Sequence, residues 1–157
     1  MPESLPRLWR LTLGHCGDKG GFDLGRALPL LHAAPNLTSL HLQKTYVKGL
    51  PADLKLEKAT FLAVGGCIDS RQLDSLLQLC PNVEELRYEC GGACFGDEQF
   101  TPEEAVDSTV FYAPRIKRMS LDLEAWAGLD EEGFTEEDMQ AAKDVLEGRG
   151  VECVFII

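Results

Sequence analysis

One short pattern of apolar and polar positions returns six times along the chain: apolar-x-x-apolar-x-apolar, often opened by a proline. It runs through Leu8, Leu11 and Leu13, then Leu37, Leu40 and Leu42, then Ala59, Leu62 and Val64. The later copies hold Val83, Leu86 and Tyr88, then Ile116, Met119 and Leu121, and finally Val151, Val154 and Ile156. Four copies share an opening: Leu5-Pro6-Arg7, Ala34-Pro35-Asn36, Cys80-Pro81-Asn82 and Ala113-Pro114-Arg115. The last three positions of each copy alternate, as a short strand with one buried face requires. Strands are therefore predicted near residues 8–13, 37–42, 59–64, 83–88, 116–121 and 151–156.

The first apolar positions are 29, 22, 24, 33 and 35 residues apart, a mean of about 28.6. A leucine-rich repeat has a period of roughly 20–29 residues, so three spacings fit and the last two need insertions. Helical spacing fills the intervals. Asp69 or Ser70 can cap a helix with Leu73, Leu76, Leu77 and Cys80 on one side. Thr101-Pro102-Glu103-Glu104 combines an N-cap, a first-turn proline and an acidic residue at the capping-box position. Thr135-Glu136-Glu137-Asp138 opens a helix expected to bury Met139, Ala142, Val145 and Leu146 before Gly148 stops it. Pro29 sits near another helix start, with Leu30, Leu31 and Ala34 inward. The 22-residue interval has room for little helix, and Gly49-Leu50-Pro51 reads as a turn.

Strand, loop and helix repeated in this order give parallel strands with right-handed crossovers. The expected fold is α/β: a leucine-rich-repeat solenoid in a single domain over 1–157. About six parallel strands line its concave face, with helices and loops on the convex face. The residues flanking the last apolar positions point out of the concave sheet. Those that can carry binding are Arg10, His41, Gln43, Phe61, Glu85, Arg87, Glu89, Arg118 and Asp122, with Thr12, Gly14, Ser39, Ala63, Gly65 and Ser120 between them.

Composition narrows the function. The 157 residues are 45% hydrophobic and 26% charged, an ordinary globular balance, with no apolar run near the roughly 18 residues of a membrane span. Met1-Pro2-Glu3-Ser4 begins no signal peptide, so the expectation is a cytoplasmic or nuclear protein. Net charge is −11, which disfavours nucleic-acid binding. Residues 1–83 are net +2 and residues 84–147 net −13, either a solvated helical flank or a field that draws a partner. The six cysteines, without a secretion signal, read as buried free thiols. Cys16 and Cys67 hold matching positions three residues after Leu13 and Val64.

Candidate chemistry is sparse. Cys90 and Cys94, with Cys80 upstream, lack the second close pair a structural zinc site requires; a tight turn explains Cys90-Gly91-Gly92 better. The string from Gly14 to Gly21 holds His15, Cys16, Asp18 and Lys19 but not the phosphate-loop spacing, and a strand-to-helix loop explains its glycines. No catalytic residue, metal or cofactor is assigned. His41 and Phe61 are expected neighbours, either interface anchors or, for Phe61, a β-former on a half-buried sheet. Arg87 stands between Glu85 and Glu89 to neutralise them, and Arg118 extends the charge pattern on the next strand. Trp126 pins a long loop or presents a contact. Both terminal strands are expected to be uncapped, exposing Leu5, Leu8 and Leu11 at one end, so a missing domain or a second copy of the chain pairing edge to edge would cover them.

The Leu-Pro-x-Leu-x-x-Leu-x-Leu copies, the Ala-Pro-Asn-Leu and Cys-Pro-Asn-Val openings, and the Cys or Gly after each strand resemble the leucine-rich repeats of F-box proteins, fungal members especially. The resemblance covers about residues 5–157. No F-box helical bundle precedes Leu5, so it implies the target-recognition half of such a protein, with substrate recognition for a cullin-type ubiquitin ligase. The expected function is a non-catalytic protein-interaction module. The alternative is an acidic nuclear repeat protein that binds a basic partner such as a histone.

Overall fold

The computed structural model describes residues 4–14, 21–65, 68–89, 102–122 and 135–156. Six five-residue strands carry the repeated pattern: β1 (Arg10–Gly14), β3 (Ser39–Gln43), β5 (Phe61–Gly65), β6 (Glu85–Glu89), β7 (Arg118–Asp122) and β8 (Glu152–Ile156). They form one sheet in the order β1-β3-β5-β6-β7-β8, every neighbour parallel. Two short parallel strands, β2 (Phe22–Asp23) and β4 (Thr45–Tyr46), pair beside it. The sequence pattern did not announce them, because two residues are too few to show a period. The helices are α1 (Leu28–Ala33), preceded by a 3-10 turn at Leu24–Ala27, α2 (Ser70–Leu79), α3 (Pro102–Tyr112) and α4 (Glu136–Glu147).

The same backbone bonds recur in unit after unit. The N–H of Leu8 donates to the carbonyl of Leu5 at 3.1 Å, Leu37 to Ala34 at 3.2 Å, Ala59 to Leu56 at 3.1 Å, Val83 to Cys80 at 3.2 Å and Ile116 to Ala113 at 3.1 Å. Each turn puts the first apolar residue of its copy on the core side and feeds the chain into a strand. At the strand start one carbonyl takes two donors from the next unit. The Trp9 carbonyl accepts from Thr38 and Ser39, Thr38 from Thr60 and Phe61, Thr60 from Glu84 and Glu85, and Glu84 from Lys117 and Arg118. The asparagines of the Pro-Asn openings tie the units sideways: Asn36 Nδ2 donates to the Pro6 carbonyl and Asn82 Nδ2 to the Glu57 carbonyl, both at 2.8 Å. Lys58 Nζ then donates to Asn36 Oδ1. This is why Asn follows Pro in two copies.

Each sheet face follows from the alternation. Leu40, Leu42, Leu62, Val64, Leu86, Tyr88, Met119 and Leu121 point to one side, and Leu31, Leu73, Leu76, Leu77, Val106 and Leu146 from the helices close over them. Truncating a central member such as Leu62, fully buried, would cost about 2–5 kcal/mol in lost transfer energy and residual cavity. Helix starts follow the sequence: Asp69 Oδ1 accepts from the Gln72 N–H at 2.8 Å, and Thr135 and Asp138 form a reciprocal capping box. Hydrogen bonds from the Thr135 backbone and hydroxyl hold the Asp138 carboxyl below its ordinary range. The short interval between β4 and β5 holds no helix; Gly49 turns there at φ 58°, and Val47, Leu54 and Leu56 fill the core instead. Its backbone is tied to α2, where Gln72 Oε1 accepts from the Val47 N–H at 2.9 Å.

Three expectations are corrected. In the sixth copy the phase is shifted by one: Glu152 lies opposite Arg118, so Cys153 and Phe155 face the core, while Val154 and Ile156 face the other side. The C-terminal turn of α4 causes the shift, because the Val151 N–H reaches back to Leu146 after Gly150 takes φ 76°, in place of the turn used by the other five copies. A one-residue slip inverts every side chain of a strand. In α4, Val145 is 43% exposed rather than buried, since Ala142 and Leu146 form the contact stripe and Val145 lies on its flank. At the β1 edge Leu5 is exposed, whereas Leu8 and Leu11 are half-buried against the core.

Candidate interaction surface

The sheet face turned away from the helices carries every proposed binding residue. Parallel in-register pairing arranges them in three rows. The first holds Arg10, Ser39, Phe61, Glu85, Arg118 and Glu152; the second Thr12, His41, Ala63, Arg87, Ser120 and Val154. The third holds Gly14, Gln43, Gly65 and Glu89, with Asp122 and Ile156 paired at its far end. His41 is opposite Ala63, and Phe61 is opposite Ser39, so His41 and Phe61 are diagonal neighbours rather than a direct pair.

His41, Glu89 and Arg87 are brought together. His41 Nε2 and Glu89 Oε2 are 2.8 Å apart, and Arg87 Nε lies 3.0 Å from Glu89 Oε1. A carboxylate only accepts, so Nε2 carries the proton. The His41–Glu89 contact passes over β5, whose residues at those rows are Ala63 and Gly65. Ala63 is fully buried beneath its neighbours, and a Cβ at Gly65 would stand 3.4 Å from the Glu89 carbonyl oxygen. Small side chains on the middle strand let the outer two meet. Pattern reading placed Ala63 and Gly65 on this face but missed the contact; the signal was the pair of small residues itself, flanked by longer polar ones.

Arg87 thus pairs with Glu89 and not with Glu85. Arg118 turns to Glu152, with Nε 3.6 Å from Oε2. Phe61 and Glu85 are half-buried side by side in the first row, Arg10 and Gln43 are exposed, and Asp122 is half-buried. The described acidic residues of α3 and α4 (Glu103, Glu104 and Asp107, then Glu136, Glu137, Asp138, Asp144 and Glu147) are exposed, against the one basic residue Lys143. They belong to the helical side of the molecule, whereas the open sheet face mixes both signs. The acidic flank and the sheet face are distinct surfaces.

Of the cysteines, Cys80 is fully buried and its thiol is pushed up to about 12 by burial; half-buried Cys153 is pushed up to about 11 by burial and by Glu147. His15, Cys16, Cys67, Cys90, Cys94 and Trp126 lie outside the described residues. Among the described residues no three His, Cys, Asp or Glu side chains group to hold a metal ion, and no helix is long and apolar enough to cross a membrane. No family model, no curated protein and no solved structure matches the chain.

Proposed function

We propose that this chain is a leucine-rich-repeat solenoid whose open sheet face binds another protein without catalysing a reaction on it. The observation that carries the reading is the register: six parallel strands, following one another in chain order, put residues from five units onto one sheet face that no described helix covers. Aromatic and arginine side chains anchor interfaces most often, and Phe61 and Arg87 stand there near His41. Arg87 and His41 are already held by Glu89, so little side-chain freedom is lost on binding. The narrower form, substrate recognition for a cullin-type ubiquitin ligase in the cytoplasm or nucleus, comes from the F-box resemblance. The test is affinity purification from the native cell with the wild-type chain and with the combined variant H41A, F61A and R87A. Loss of the specific partners from the folded variant is expected; an unchanged partner set would overturn the reading.

The exposed acids of α3 and α4 favour a second reading, an acidic repeat protein that binds a basic partner such as a histone through its helical side. Such binding would vanish by about 0.3 M salt, where charges are screened within several ångströms, and would survive the triple variant.

A further inference from the structure

We infer that Phe61 and Glu85 together form a seat for a basic side chain, arginine or lysine, of the partner; this rests on the open-face reading above. The charges of the face are mostly matched internally. Glu89 accepts from both His41 and Arg87, and Glu152 pairs with Arg118. Asp122 has an interaction of its own. The Glu85 side chain makes no hydrogen bond or ion pair among the described residues. Both cations within its reach are turned elsewhere: Arg87, two residues on along β6, to Glu89, and Arg118, opposite it on β7, to Glu152.

A half-buried carboxylate that finds no counter-ion among the described residues has given up part of its hydration with nothing in return from them. Beside it in register stands the aromatic ring of Phe61. A ring and a carboxylate side by side fit one class of ligand group, a cation with an apolar stem or a flat face, and a guanidinium satisfies both at once. An acidic side chain placed there would meet the like charge of Glu85. At longer range the net −13 of residues 84–147 raises the encounter rate of a cationic segment and opposes an anionic one.

The test selects peptides on the intact chain from a random 12-residue phage-displayed library, then synthesises the most enriched one and titrates it against wild type, E85Q, F61A and H41A. Circular dichroism confirms that each variant is folded. The expected peptide carries arginine or lysine, binds about tenfold more weakly to E85Q, and shows non-additive losses when its own basic residue is changed to glutamine together with E85Q. A peptide that needs Phe61 or His41 but lacks a basic residue, or that ignores E85Q, overturns the cation seat and leaves the open-face reading standing. Peptides indifferent to F61A and H41A, or no enrichment at all, overturn both.

Discussion

His41 on β3 and Glu89 on β6 meet at 2.8 Å across the strand that separates them, and the contact exists because β5 presents Ala63 and Gly65 at those rows. It ties together units that are not adjacent and fixes Arg87 through the second oxygen of the same carboxylate. In a double-mutant cycle by urea unfolding, H41A and E89A should be coupled by about 1 kcal/mol. A63L should destabilise by about 1–3 kcal/mol through overpacking and abolish that coupling. Full additivity of H41A and E89A would show that the contact contributes nothing in solution.

The asparagine ties between units predict matching effects at separate places. N36A removes the donor to the Pro6 carbonyl and the acceptor for Lys58, and N82A removes the donor to the Glu57 carbonyl. Each should cost about 1 kcal/mol by chemical denaturation. Because the two sites share no partner, the double variant should lose the sum.

The phase of β8 gives a sharp contrast between adjacent residues. F155A should destabilise by roughly 1–3 kcal/mol, since Phe155 packs on the core, while I156A should stay within about 0.5 kcal/mol. Thermal unfolding of the pair checks it. The reverse order would restore the phase that the sequence pattern suggests.

Most of the sheet was legible in the sequence because its period is short and its buried face is marked by Leu, Val and Met at fixed offsets. β8 escaped for a physical reason: Val151, Cys153, Val154, Phe155, Ile156 and Ile157 are nearly continuous apolar residues, so alternation cannot select a face. The turn at Gly150 decides instead. The membership of the open face was equally legible, since alternation alone names it. Who touches whom on that face was not. The spacing of Arg87 between Glu85 and Glu89 is symmetric, and only the approach of His41 over small β5 residues commits Glu89 to the pair and leaves the Glu85 carboxylate without a partner among the described residues.

Thiol chemistry should report burial directly. In native protein at pH 8, mass-spectrometric mapping after maleimide treatment should show Cys153 modified well before Cys80, which should react only on unfolding. The raised folded values also set a sign. Below pH 9 both thiols are neutral in either state and the stability is fully present; as pH rises from 9 towards about 12 the unfolded chain ionises first and stability falls.

The capping box of α4 acts at the other end of the scale. The Asp138 carboxyl is depressed below its ordinary 3.8, so its stabilising contribution is present above that value and is lost as pH falls through the folded one. Replacing Thr135 by alanine should cost roughly 1 kcal/mol at neutral pH, and acid titration followed by circular dichroism should show a smaller additional loss below pH 4 in that variant than in wild type.

The most direct test of the open face is photo-crosslinking in the native cell, with benzoylphenylalanine placed at position 61 on β5 or at position 111, where Phe111 is 77% exposed on α3 of the helical side. Specific protein adducts from position 61 and none from position 111 are expected. Adducts from 111 alone would put the binding surface on the helices and contradict the central claim.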